Sequence, residues 1–426
     1  VPEFKADVFQ NEYLAEGATV AHAVVSVTCT DAGTAGQTGL GEAAEVIIVD
    51  TSGSMDMPPT KIAAARRAAK VAIDEIVDGT WFAVVSGHSV AQMVYPTHPG
   101  MAKMTDITRR DALDMVARLR SGGATAIGAW IAAATELFEQ APSSQHHAIL
   151  LTDGKIEGEQ PSALVDALVA ARGKFQCDCR GIGSDWVVDE LRTIADALLG
   201  TVDIIANPDD LEADFEAMMR MAMSRGVPDA RLRVWAPQGS EVQFVRQVAP
   251  GVEDLTAKGV QITPLVREYP TGAWSDESRD YHVSVRVPIA QVGNERLAAR
   301  VEVVVRDQVM AKALVKAIWS TDVNLTTRID PAVAHYTGQV QLADAIQKGL
   351  AAKASGDERT ATVLLGVAAK LAHDTGNENT TRLLAKVVDV VDVESGTVRL
   401  KKDIDRADEM ALDTRSTKTT RIRREP

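Results

Sequence analysis

The residues with most chemical promise lie in one run: Val46-Ile47-Ile48-Val49-Asp50-Thr51-Ser52-Gly53-Ser54-Met55. An apolar strand ends in an acid, and two hydroxyls follow two residues apart, with Gly53 between them free to bend. A tight loop of this kind aims Ser52 and Ser54 at one point, above the charge of Asp50. Two further segments repeat the theme. Ser121-Gly122-Gly123-Ala124-Thr125 sets a third hydroxyl, Thr125, at the start of a helical stretch. Ile149-Leu150-Leu151-Thr152-Asp153-Gly154 again runs a strand into an acid, Asp153. Oxygen-only donors suit a hard cation, above all Mg²⁺ with its octahedral shell at about 2.1 Å. The bland alternative is a serine-rich turn capping a helix, with Thr125 as a second cap. Caps alone do not call for acids at two strand ends.

Such a site needs strands whose carboxyl ends share one edge, because that edge is where open α/β sheets bind ligands. Short apolar runs at 46–49, 82–85, 149–151 and 181–183 alternate with helical spacing over 61–77, 109–119, 126–138, 161–171 and 189–197, and 210–223 closes the series. Buried strands between amphipathic helices imply a parallel sheet covered on both faces. On either side the texture is different. Residues 4–10 and 19–30 read as strands, and 231–235, 241–248, 260–268, 281–287, 297–305 and 310–319 as an antiparallel sandwich. A lone hairpin is marginal, so the first strands are expected to join the later sheet. From Pro331 the pattern is helical over 339–354, 358–373 and 379–391, with stop-and-cap signals at Ser355-Gly356-Asp357 and Thr375-Gly376-Asn377. The expected domains are 1–43 (strands of the sandwich), 44–224 (α/β), 228–330 (sandwich), 331–412 (helical) and 413–426 (a flexible basic tail).

The three motifs, in this order and on these elements, resemble the von Willebrand factor type A family. Its metal-ion-dependent adhesion site has the pattern D-x-S-x-S, a distant T and a distant D. Asp50, Ser52, Ser54, Thr125 and Asp153 match every position, and the resemblance covers 44–224. It implies a doubly wound, mostly parallel, Rossmann-like α/β sheet, here inserted in an antiparallel β-sandwich and followed by a small α-helical domain. It also implies that Ser52, Ser54 and, in the ligand-bound form, Thr125 bind Mg²⁺ (or Mn²⁺ or Ca²⁺) directly, while Asp50 and Asp153 act mainly through water. A coordination position then stays open to an Asp or Glu of a protein partner. The implied function is a non-enzymatic, metal-dependent interaction module, a scaffold in intracellular signalling or complex assembly. The rivals are a Mg²⁺-dependent hydrolase or phosphoryl-transfer enzyme, and a subunit of a chelatase-like complex whose ATPase is a partner. The chain has no G-x-x-x-x-G-K-[ST] loop of its own.

Composition narrows the field. Lys and Arg number 45 against 59 Asp and Glu, and the resulting net charge of −14 argues against a broad nucleic-acid grip. With 46% apolar and 24% charged residues the chain can bury real cores. Three cysteines make no disulfide framework and favour a reducing compartment, and no apolar run reaches the ~18 residues of a membrane span. A cytoplasmic location is the expectation, although a chain that begins at Val1 leaves room for an upstream segment. Gly87-His88-Ser89-Val90-Ala91 resembles a nucleophile elbow, but 91–96 reads as a strand where an elbow needs a helix. Cys177 and Cys179 are expected as buried free thiols, Trp130 and Met115 as core, and His146-His147 as a surface pair. Asp56, Met57, Glu157 and Asp185 fall on loops at the rim of the metal motif. The threonines at 414, 417, 419 and 420 beside basic residues suggest kinase sites and a phosphothreonine-reading partner.

Overall fold

The chain begins with three strands, β1 (Glu3–Phe9), β2 (Tyr13–Ala15) and β3 (Val20–Thr30), and then leaves them. Asp31–Asp229 with Gly272–Asp276 form one unit, and Glu3–Thr30, Ala230–Thr271 and the chain from Glu277 onward form the other. This computed structural model describes residues 2–422.

The first unit runs β4 (Ala43–Asp50), α1 (Thr60–Glu75), β5 (Trp81–Gly87), β6 (Ala91–Tyr95), β7 (Ala102–Lys103), α2 (Asp106–Val116), α3 (Ile127–Gln140), β8 (Gln145–Thr152), α4 (Pro161–Ala171), β9 (Gln176–Ile182), α5 (Val188–Ala197), β10 (Val202–Ile205) and α6 (Leu211–Met223). Its sheet has the order β10-β9-β8-β4-β5-β6. All neighbours are parallel except β6 and β7, which pair antiparallel with β5. All eight residues of β4 are buried, as a central strand covered on both faces requires. Ala64, Ala65, Ala68, Ala69 and Ala72 give α1 a small-residue stripe, which packs on Ile47, Val49, Ile149 and Leu151. From β4 the chain moves to β5, and only later crosses to β8 on the other side. The winding therefore reverses between β4 and β8, and their carboxyl ends flank the crevice where such sheets take ligands.

The second unit continues with β11 (Arg231–Trp235), β12 (Glu241–Ala249), β13 (Glu253–Asp254), β14 (Val260–Thr263), β15 (Val266–Pro270), β16 (Glu277–Arg286), β17 (Glu295–Val305) and β18 (Gln308–Ser320). Two sheets result, β1-β3-β16-β12-β13 and β14-β15-β11-β17-β18-β2. β3 pairs antiparallel with β16 from Cys29 opposite Glu277 to Val20 opposite Arg286. Then come α7 (Val323–Thr326), α8 (Pro331–Ala354), α9 (Glu358–Asp374), α10 (Glu378–Val387), the hairpin β19 (Val388–Asp392) and β20 (Thr397–Leu400), and α11 (Arg406–Arg415). Asp330, Asp357 and Asn377 cap α8, α9 and α10 by accepting backbone N–H groups. Among the described residues, no helix is long and apolar enough to cross a membrane.

Several expectations give way here. The strand expected over 260–268 is two, because Pro264 cannot continue a ladder. The last expected helix stops at Val387, and the alternating Val388-Asp389-Val390-Val391-Asp392 turns to strand. The helical region has a core of its own, built from Leu342, Ile346, Leu365, Leu384 and Leu412, and Ala332 and Tyr336 of α8 also pack on Val24, Val248 and Ala249 of the sandwich. Residues 413–422 are not a free tail. Lys418 bridges Gly251, the Thr419 hydroxyl donates to the Val248 carbonyl at 2.7 Å, and Gln339 donates to the Thr420 hydroxyl at 3.1 Å. Arg421 lies 3.0 Å from the fully buried Asp280, which also accepts the Tyr336 hydroxyl at 2.5 Å. The physical reason is that buried carboxylate: it needs a counter-charge, and Arg421 supplies it. The kinase and phosphothreonine-partner expectation loses its flexible context with this docking. Arg423 and Arg424, also counted in the basic tail, lie outside the described residues.

Candidate metal centre

The structure brings Asp50, Ser52, Ser54, Thr125 and Asp153 to one edge of the α/β sheet. Asp50 ends β4 with no solvent exposure. Its Oδ1 accepts the Ser52 backbone N–H at 2.7 Å, and its Oδ2 accepts the Thr152 hydroxyl at 2.5 Å. Burial pushes its pKa up to about 6 against those hydrogen bonds, and the nearby Asp153 charge adds to the rise. The Ser52 and Ser54 hydroxyls are 3.0 Å apart, and Ser54 Oγ donates to Asp153 Oδ1 at 2.6 Å. Gly154 leaves room for the third hydroxyl: a Cβ there would lie 3.1 Å from Thr125 Oγ1 and 3.3 Å from Ser54 Oγ.

The loops around this cluster are tied to one another. Gly53 N–H donates to the Gly123 carbonyl at 3.0 Å, and Gly122 N–H to the Thr51 carbonyl at 2.8 Å. Gly123 has φ of 85°, a left-handed turn that suits glycine. Thr125 and Glu157 exchange backbone hydrogen bonds of 3.1 and 2.8 Å. Of the rim residues, Asp56 accepts the Ser121 hydroxyl, Glu157 pairs with Lys155, and Met57 is 74% exposed. The elbow-like segment serves the same scaffold. Its Ser89 hydroxyl accepts the Ala124 N–H at 2.9 Å, the His88 carbonyl accepts the Trp130 indole, and the chain continues into β6.

Two functional-site neighbours escaped the sequence reading. Thr152 fixes Asp50 from below. Lys61, near the start of α1, buries its ammonium 2.7 Å from Asp153 Oδ2 and 3.4 Å from Asp185. Burial opposes the Lys61 charge, but Asp153 and then Asp185 outweigh it and hold the pKa above the usual lysine value. One signal for it was present: Lys61 stands in register with the buried alanines 64, 65, 68 and 72, where a charge needs a partner.

Comparison with known proteins adds the family. Residues 44–204 match the von Willebrand factor type A domain, and 370–416 match a von Willebrand factor type A C-terminal domain. A solved structure described as von Willebrand factor type A from Catenulispora acidiphila is 47% identical, with 99% of this chain and 98% of that one covered and a TM-score of 0.94. The chain belongs to the von Willebrand factor type A family. The fold also recurs at 14% identity and a TM-score of 0.60 in the ArnB paralog VWA2 from Sulfolobus acidocaldarius, with 98% of each chain covered. It recurs again in the human COPII-coat protein Sec24c, at 10% identity and 0.57, with 89% of this chain and 58% of that one covered. No curated protein matches the sequence.

The type A unit holds a second polar cluster towards the amino ends of its strands, and it corrects the surface expectation for His147. That imidazole is buried, with Nδ1 2.9 Å from both Glu45 carboxylate oxygens and Nε2 2.9 Å from Asp178 Oδ2. Asp178 Oδ1 accepts the Thr201 N–H and hydroxyl, both at 2.7 Å. Burial opposes the imidazolium, yet Glu45 and Asp178 overcome it and raise His147 to about 9. His146 instead stacks on Phe138, their ring centroids 4.9 Å apart. Cys177 and Cys179 are buried free thiols.

Proposed function

We propose that this chain is a metal-dependent protein-interaction module whose site takes a divalent cation, Mg²⁺ first, on Ser52, Ser54 and Thr125. The observation that carries this is the 3.0 Å separation of the Ser52 and Ser54 hydroxyls beside two buried carboxylates. Adjacent ligands of an octahedron with bonds of about 2.1 Å are about 3.0 Å apart, so the two oxygens already span one edge. Asp50 and Asp153 stand behind them, each with both oxygens engaged. A cation bound there would offer an open coordination position to an Asp or Glu of a partner. Ser52, Ser54 and Thr125 are neutral, so they would leave most of the cation's charge for that carboxylate. Carboxylates held this way suit fixing a cation better than shuttling a proton, which favours binding over catalysis.

The test is pull-down with the full chain in Mg²⁺, in EDTA, and with Asp50→Ala or Ser52→Ala, each variant checked for fold by circular dichroism. Partner recovery in Mg²⁺ alone is expected. Equal recovery in all four would overturn the proposal.

A further inference from the structure

Lys61 places a second positive charge at the site. Its side chain is 8% exposed and that of Asp153 is fully buried. The carboxylate divides its oxygens: Oδ1 faces the Ser54 hydroxyl at 2.6 Å, and Oδ2 faces the Lys61 ammonium at 2.7 Å. Lys61 has little freedom to withdraw. Its backbone N–H donates to the Pro58 carbonyl at 3.0 Å as α1 begins. Its stem runs beside Gly183, where a Cβ would come within 3.9 Å of Lys61 Cε. Asp185 closes the outer side at 3.4 Å.

We propose that Lys61 determines the ligand preference of this centre, by keeping Asp153 out of direct coordination and giving the loaded site a net positive charge. The proposal rests on the metal assignment above. The buried groups Asp50, Asp153 and Lys61 together carry one negative charge, so a divalent cation brings the buried site to one positive charge, while Asp185, with its side chain 71% exposed, is screened by solvent on the outer side. Without Lys61 the loaded site is neutral. A neutral site holds its cation more firmly and attracts a carboxylate less; a positive one trades metal affinity for anion affinity. Lys61 thus makes the centre a reader of acidic side chains and not a tight metal store. With Oδ2 committed to the ammonium, Asp153 meets the cation's surroundings only through Oδ1, alongside Ser54.

The test uses the full chain as wild type, Lys61→Met and Lys61→Gln; the glutamine can still donate to Asp153 and guards against loss of fold. Mn²⁺ alone is titrated by calorimetry, and acetate is then added to the Mn²⁺-saturated proteins while water-proton relaxation follows displacement of metal-bound water. Removing a cation that shares a carboxylate with the metal, at an effective dielectric of about 20, is expected to tighten Mn²⁺ binding by about tenfold or more. Acetate affinity is expected to fall by about fivefold in the same variants. Folded variants with wild-type Mn²⁺ or acetate affinity would overturn the role of Lys61. A wild-type chain that takes up no Mn²⁺ would overturn the metal assignment itself, and this proposal with it.

Discussion

Substituting His147 by Leu removes the counter-charge shared by two buried carboxylates, at side-chain exposures of 6% for His147, 0% for Glu45 and 7% for Asp178. Breaking a buried pair from one side costs about 3–5 kcal/mol, mostly the penalty of the charge left behind. For a unit of this size 1 kcal/mol shifts the melting point by about 2–4 °C, so the transition should fall by roughly 6–20 °C. Calorimetry on the full chain reads this directly, because only the transition of the α/β unit should move. The pH dependence supplies a second readout. A histidine raised from 6.5 to about 9 in the fold contributes stability that is complete below about pH 6.5 and disappears as pH rises through about 9. The slope is at most about 1.4 kcal/mol per pH unit. His147→Leu should lose that alkaline limb, and adding Glu45→Gln should recover part of the stability by removing the stranded charge. A loss under about 1 kcal/mol, or an alkaline limb that survives in the variant, would refute the buried imidazolium.

Three further outcomes follow from other contacts. His282 is held at about 3 by burial first, then by His22 and Arg246, so it stays neutral in the fold while the unfolded chain protonates near 6.5. Stability of the sandwich unit should therefore fall as pH drops below about 6.5, by about 1–2 kcal/mol at pH 5 in urea titrations, and less in His282→Phe. Arg421→Ala should lower the unfolding free energy from urea titration of the same unit by about 1.5–3 kcal/mol, since it removes a charged donor from the fully buried Asp280. Gly181→Ala would put a Cβ 1.9 Å from the buried Trp186 ring, and should cost about 1–3 kcal/mol with a changed tryptophan emission spectrum.

The α/β unit was legible because its signals are local. Strands such as Val46–Val49 announce burial by composition, and helices such as α4 begin and end where proline and apolar spacing say they should. That Asp50, Ser52, Ser54, Thr125 and Asp153 share one sheet edge was legible because each stands at or just beyond a strand or helix end, which a period along the chain can locate. What stayed hidden depends on partners far away in sequence. Lys61 and Asp153 are 92 residues apart, and His147 reads as a polar surface residue until Glu45 and Asp178 arrive from two neighbouring strands. The tail misled for the same reason: its basic, threonine-rich composition describes a solvated segment, and only the buried Asp280 explains why Arg421 is held.

The register of β3 against β16 also sets a schedule for biosynthesis. Cys29 faces Glu277, so the first strands leave the ribosome long before their neighbour exists. At about 5–20 residues per second that interval is about 12–50 s. Asp31–Asp229 and then Gly272–Asp276, which together make the type A unit, emerge in that interval. During translation β1 and β3 have only each other to pair with, and the edge of β3 that β16 will cover stays open to other nascent chains until β16 emerges.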